Sequence, residues 1–275
     1  FLFMFVLSSS LFAGDQDRTG TDGASQLLQP VGAKGIATFG ANIATTHSID
    51  ALYWNPAGLS RMSASAEGTF STMNIFNDIR INYAAVAYNT GEMGAIGVTL
   101  KTFDFGNIPI TTNSDMDGES GQVFSPTFAT IGISYSIGLT DRVNVGVNTK
   151  IVHESIPRAS ATAIAFDIGL QYRAFAGYEN LAFGVVVKNI GTDMTYSGAG
   201  LTDPYTIGGR QDYLTRDAAS NDLPSSIEIG LGYTYALNSD NALTTSTNFQ
   251  SNNFASDAFK LGVEYSFQDM VMVRA

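Results

Sequence analysis

The sequence holds no cysteine. That excludes disulfides, a thiolate metal site and a cysteine nucleophile. Charge is scarce as well: Asp, Glu, Lys and Arg supply 14% of the 275 residues, against about 25% in ordinary soluble proteins. What charge there is sums to −11, the opposite of the basic footprint that nucleic-acid binding needs. The two histidines, His47 and His153, lie far apart with no ligand spacing around them, so neither a metal site nor a catalytic base is expected there. No Gly-x-Ser-x-Gly elbow, phosphate-binding loop or dinucleotide fingerprint occurs, and the expectation is a non-enzyme without cofactors. Long apolar runs are missing too. The best candidate, residues 1–13 (FLFMFVLSSSLFA), falls short of the roughly 20 residues that a membrane-crossing helix requires. It is uncharged and runs straight into Gly14-Asp15-Gln16-Asp17. This reads as the remnant of a secretory signal peptide cut after Ala13, with a buried N-terminal strand or helix as the other reading.

Alternation is what the chain has instead. From about residue 63 onward, segments of about 9–11 residues recur with a hydrophobic period of two, the length of a tilted membrane-crossing strand. In Ala163–Arg173, Ile164, Phe166, Ile168, Leu170 and Tyr172 share one face, opposite Ala165, Asp167, Gly169, Gln171 and Arg173. A helix would scatter these apolar groups around its surface. The same pattern runs through Ala129–Ile137, Val143–Ile151, Leu181–Lys188, Ile227–Tyr235 and Phe259–Phe267, and more weakly through Ala64–Met73, Ile81–Tyr88, Gly94–Phe103 and Leu243–Gln250. Val271–Ala275 reads as the start of one more. The polar faces carry Gly, Ser, Thr and Asn with isolated charges, which suits a crowded lumen better than the charged outer face of a soluble β-sandwich, the rival architecture.

The connections between these segments alternate in length. Short ones at 89–93, 139–141, 176–180, 237–241 and 268–269 alternate with 76–78, 105–125, 154–159, 191–225 and 251–257, two of them very long. Outer-membrane barrels have short periplasmic turns and longer outer loops. Tyr88, Tyr135, Tyr172, Tyr233, Tyr235, Tyr265 and Phe267 sit just before short turns, where an interfacial aromatic girdle belongs. The fold class expected is all-β: a transmembrane antiparallel β-barrel over 63–275, following an irregular, partly helical plug over 14–62 and the signal remnant 1–13. The alternation places the N-terminus in the periplasm. About eleven strands are countable, and since bacterial barrels close with an even number, about three more are expected beyond Ala275.

Residues 14–62 break the strand pattern. They contain Gly23-Ala24-Ser25-Gln26-Leu27-Leu28, Pro30-Val31-Gly32-Ala33-Lys34-Gly35 and Ile49-Asp50-Ala51-Leu52-Tyr53-Trp54-Asn55-Pro56-Ala57-Gly58-Leu59. Pro56 forces Asn55 out of the helical region. These phrases resemble the N-terminal region of the PorV/PorQ family, relatives of the FadL-type transporters. Asn55-Pro56-Ala57 is similar to the short plug motif of FadL-type proteins, and Asn189-Ile190-Gly191 with Met194–Gly198 is a looser echo. The resemblance implies a 14-stranded outer-membrane barrel whose plug motif is Asp50, Tyr53, Trp54, Asn55, Pro56, Ala57 and Gly58. It further implies a part in type IX secretion or cell-surface assembly, with secretion-machinery or cargo proteins, outer-membrane lipid and lipopolysaccharide as partners. The alternative it implies is FadL-like uptake of hydrophobic small molecules such as long-chain fatty acids. Lipopolysaccharide deacylation is attributed to some relatives, but no Ser/His/Asp constellation here supports it.

Lys101, Lys150, Asp167, Arg173, Lys188, Glu228, Lys260 and Glu264 fall on the polar faces. They are expected to pair across the lumen and fix the plug rather than line an open path. Asn113–Gly118 faintly resembles the start of a calcium loop, but Asn113 takes the first ligand position and Phe124 stands where a bidentate Glu is needed. A solvated acidic loop is the expectation.

Overall fold

The computed structural model describes Gly14 and residues 16–76, 79–268 and 270–275. The signal-peptide reading of 1–13, the turn at 77–78 and Asp269 lie outside the described residues. The alternating segments form one antiparallel sheet of eleven strands: β1 (Ala66–Phe76), β2 (Ile79–Asn89), β3 (Ala95–Asp104), β4 (Thr127–Gly138), β5 (Val143–Ile156), β6 (Ala159–Arg173), β7 (Leu181–Gly191), β8 (Ser226–Ala236), β9 (Asn241–Asn252), β10 (Ala258–Phe267) and β11 (Val271–Arg274). Each strand pairs only with its neighbours in sequence, the meander that short antiparallel connections impose. The long connections carry small hairpins of their own, including Thr202–Ile207 paired with Arg210–Thr215. One expected loop shrinks. Pairing continues to Ile156↔Ala159, so the connection at 154–159 is reduced to Pro157-Arg158, and Glu154 belongs to a strand.

Burial in this sheet is inverted relative to a water-soluble protein. The polar residues Asn144, Asn148, Lys150, Asp167, Gln171, Glu228 and Asn248 are buried, while Val98, Ile133, Ile168 and Leu261 are 52%, 63%, 54% and 75% exposed. So continuous an apolar face cannot be left in water, but it is what lipid requires. Tyr88, Tyr135, Tyr233, Tyr235 and Tyr265 lie on the same outer face near the short-turn ends, each exposed.

The other face is covered by short helical turns from the N-terminal segment: Ala33–Ala37, Ala41–Ala44, Ser48–Asp50, Ala51–Trp54 and Pro56–Arg61. Eleven strands about 4.8 Å apart would span roughly 50 Å if laid flat. Yet residues 41–61 alone reach every strand from β1 to β10, so the sheet must curl around them. β1 and β11 are its edges and do not pair with each other among the described residues. The eleven strands countable in the sequence are thus present as one curled sheet, and closure into a barrel is not seen among the described residues.

The described part of the N-terminal segment touches both ends of the sheet. β1 does begin at the short-turn end, next to Met62, whose carbonyl accepts from Asn89 Nδ2 at 2.7 Å. Upstream, however, Arg18 pairs with Asp222 at 2.6 Å and the Gly23 N–H donates to the Asp222 carbonyl at 2.9 Å. Both contacts lie at the end with the long connections. The segment thus runs the height of the sheet.

Candidate functional site

The segment is seated by a row of missing side chains. A Cβ placed on Gly97, Gly146, Gly169, Gly184, Gly230, Gly232 or Gly262 would come within 2.0–2.8 Å of segment atoms, from Leu52, Pro56, Asn55, Ala44, Ile43, Thr45 and Thr38 respectively. The strand glycines read from sequence as lumen filler are therefore the track on which the segment lies. Its own glycines do the same for the sole tryptophan: Cβ atoms on Gly35 and Gly40 would fall 2.1 and 2.5 Å from the Trp54 ring. Trp54 is consequently buried, edge-on to Tyr53 with ring centroids 5.0 Å apart.

Polar contacts fix the register of the Asp50–Leu59 phrase. Asn55 is extended (φ −158°) as Pro56 demands, and its side-chain oxygen caps the following turn by accepting from the Ala57 N–H. Its amide donates to the carbonyls of Ile43 at 2.9 Å and Leu170 at 3.2 Å. The Gln171 amide donates to the carbonyls of Ile43 and Thr46, and Arg61 Nη1 donates to the Gln171 oxygen at 3.0 Å. Ser136 Oγ donates to the Ala57 carbonyl at 2.9 Å. Asp50 pairs with Lys34 at 3.2 Å within the segment. Gly58 has no room for a side chain, since a Cβ there would lie 2.3 Å from the Thr46 carbonyl oxygen. Burial, with Arg173 adding repulsion, lowers the Arg61 guanidinium to about 10. Burial first, then the charge of Glu228, raises the Tyr53 phenol above its ordinary range.

Where charged residues of the inner face form ion pairs, they do so with neighbours on the wall rather than across a lumen. Lys150 (β5) meets Asp167 (β6) at 2.6 Å, and Lys188 (β7) meets Glu228 (β8) at 2.9 Å. Adjacent strands hold their partners about 5 Å apart, whereas opposite walls are separated by the segment, so lateral pairing wins. Glu264 pairs with Arg274, and Lys260 donates to Gln250 without an ion pair among the described residues. Arg173 is exposed at the end of β6 and donates to the Asp141 carbonyl. The expectation that charge fixes the segment does apply to Lys101, whose ammonium donates to the carbonyls of Gln26 (2.7 Å) and Gln29 (3.0 Å). Lys188 also lies 5.5 and 5.3 Å from the ring centres of Tyr53 and Trp54.

Sequence reading missed two features. One is a bulge in β7, where pairing to β6 shifts between Phe166 and Ile168. Asn189 there has φ +60°, and its N–H donates to Asp167 at 2.8 Å while its amide donates to the Pro224 carbonyl at 2.9 Å. A period-two scan cannot register one extra residue except as noise. The other is that Ala24 and Leu27 pack with Met194 and Leu223, with Tyr196 beside them, so the two sequence stretches sharing the family resemblance meet at the long-loop end. In the 105–125 loop, Asp115 accepts from the backbone N–H groups of Glu119 and Ser120. Those bonds occupy both carboxylate oxygens, and with the Ser120 side chain as the largest cause they lower its pKa.

The space left beside the segment is divided. A cavity of about 370 Å³ opens near the short turns, between Lys34, Asp50, Arg61, Arg173, Glu264 and Arg274. A second, of about 290 Å³, is lined by Leu28, Pro30, Ile36, Phe39 and Trp54 with Lys188 and Lys260. A third, of about 40 Å³, lies beside Lys101.

No curated protein sequence matches the chain. Among solved structures it is similar to the Pseudomonas putida toluene transporter TodX, with 13% identity over 86% of this chain and 81% of that one and a TM-score of 0.47. It is also similar to the CymD monoaromatic hydrocarbon channel, with 10% identity over 92% and 81% and a TM-score of 0.45. Residues 12–255 match the family described as type IX secretion system protein PorV. A match of that extent, over a sheet with a lipid-suited outer face, makes this chain a member of the PorV family of outer-membrane proteins.

Proposed function

We propose that this protein sits in the outer membrane as a plugged barrel and serves type IX secretion by docking exported proteins or their machinery, not by conducting them. The family match carries the secretion reading. The packed inner face carries the second half. The N-terminal segment reaches ten strands, and cavities of about 370, 290 and 40 Å³ are far too small for a polypeptide cargo. Contact with cargo then falls to the long-loop end, where the 202–215 hairpin exposes Tyr205, Ile207, Tyr213 and Leu214.

The test is to compare the supernatant and surface proteomes of the source bacterium with and without the gene. Loss of a defined set of exported proteins, restored by complementation, is expected. An unchanged set in a strain that otherwise exports normally would overturn the reading. The second reading, transfer of small hydrophobic molecules, is favoured by the apolar part of the 290 Å³ cavity wall, Leu28, Pro30, Ile36, Phe39 and Trp54, which stands beside Lys188, Glu228 and Lys260. It predicts that the mutant loses growth or uptake on a hydrophobic substrate while its exported proteins stay in place.

A further inference from the structure

We propose that the small pocket beside Lys101 binds one halide-sized monovalent anion. Three ammonium groups, those of Lys101, Lys150 and Lys188, line it against a single carboxylate, Asp167. Pairing accounts for two of the cations: Lys150 has Asp167 at 2.6 Å, and Lys188 has Glu228 at 2.9 Å outside the pocket. Lys101 is left over. It is 5% exposed; its ammonium donates to the Gln26 and Gln29 carbonyls and lies 5.2 Å from the Tyr53 ring centre, with no carboxylate in an ion pair with it among the described residues. A buried cation without a counter-charge is costly, and one monovalent anion removes the imbalance.

The lining favours an anion over a neutral guest. Tyr83, Lys101 and Thr130 are successive cross-strand partners on β2, β3 and β4, so their side chains stand in one row on the inner face. The Tyr83 hydroxyl and the Thr130 hydroxyl are buried and have no hydrogen-bond partner among the described residues. Lys101 and Lys150 each use two of three N–H groups on protein acceptors. The pocket therefore has unspent donors in the two hydroxyls and the two ammoniums, while Asn148 Oδ1 is the only acceptor-only atom of its wall left without a partner among the described residues. Its volume of about 40 Å³ exceeds the roughly 10–15 Å³ needed for one water-sized particle, enough for a halide with a water beside it. Leu27, Leu52 and Tyr53 of the N-terminal segment complete the lining, so anion occupancy and seating of the segment are coupled.

The test uses the intact protein, crystallised with bromide and measured at the bromine absorption edge. An anomalous peak among Lys101, Lys150, Tyr83 and Thr130 is expected. Bromide at only surface positions would overturn the proposal. In detergent, the melting midpoint should rise by about 3–6 °C per tenfold increase in bromide above its dissociation constant, with gluconate holding ionic strength fixed. The variants Lys101→Met and Thr130→Val should flatten that response. If Lys101→Met fails to fold, the milder Thr130→Val still decides. Equal responses to bromide and gluconate in the wild type, or a bromide response untouched in Thr130→Val, would sink the idea.

Discussion

The seating of the segment can be tested at one atom. A Cβ on Gly146 would lie 2.4 Å from the Pro56 carbonyl carbon, 2.5 Å from its oxygen and 2.6 Å from the Ala57 nitrogen. Ordinary contacts fall at about 3.5–4.0 Å, so Gly146→Ala creates an overlap of roughly 1 Å against backbone that has no rotamer to yield. Overpacking of this kind costs about 1–3 kcal/mol. At 2–3 kcal/mol, the ratio of seated to unseated segment falls roughly 30- to 150-fold, at about 1.4 kcal/mol per factor of ten. The strand itself should tolerate alanine, because the clash is with the segment and not with β4 or β6. The absence of cysteine supplies the assay. Leu59 is fully buried in the segment, so Leu59→Cys makes a single thiol that a water-soluble maleimide reaches only when the segment leaves. Its labelling rate in membranes should rise by the same factor on adding Gly146→Ala. Gly68→Ala, where the nearest atom would be 3.9 Å away, should leave it unchanged. Equal rates for Gly146→Ala and its parent would refute the packing described here.

Other consequences follow from the same contacts. Asp167→Asn strands the Lys150 ammonium and should lower stability by about 3–5 kcal/mol, while Lys150→Met with Asp167→Leu should recover much of that loss in urea titrations of the detergent-solubilised protein. Trp54, the sole tryptophan and 5% exposed, should emit at short wavelength and resist acrylamide quenching. Gly35→Ala, which sets a methyl 2.1 Å from that ring, should red-shift it. On the outer face, Ile133→Arg should cost about 2–4 kcal/mol if the position lies near the bilayer midplane, measurable as reduced folding into lipid vesicles. The same change in a chain that merely exposed Ile133 to water would be neutral.

Much of this fold could be read from sequence because the strand period is two and its faces are chemically unlike. Ile164 to Tyr172 and Asp167 to Arg173 sort themselves without any structure. The alternation of short and long connections also fixes strand order, since each strand pairs only with its sequence neighbours. The path of residues 14–62 was hidden. Its turns are three to six residues long, and its position is set by contacts such as Pro56 on Gly146 and Asn55 on Gly169, about 90 and 114 residues apart in sequence. The inner-face charges were found, but their partners were not. Alternation places Lys150 and Asp167 on one face, whereas the pairing register alone decides that they touch rather than reach across. The bulge at Asn189 escaped because its extra residue breaks the period of two.

We propose that the N-terminal segment plugs the lumen of an outer-membrane barrel, which makes the protein a docking component rather than a conduit. Single-channel recording in planar bilayers tests it most directly, with the wild-type protein beside Gly146→Ala. The wild type should insert without steady porin-like conductance, and the variant should give openings as its segment leaves. A stable, porin-sized conductance from the wild type would contradict the claim.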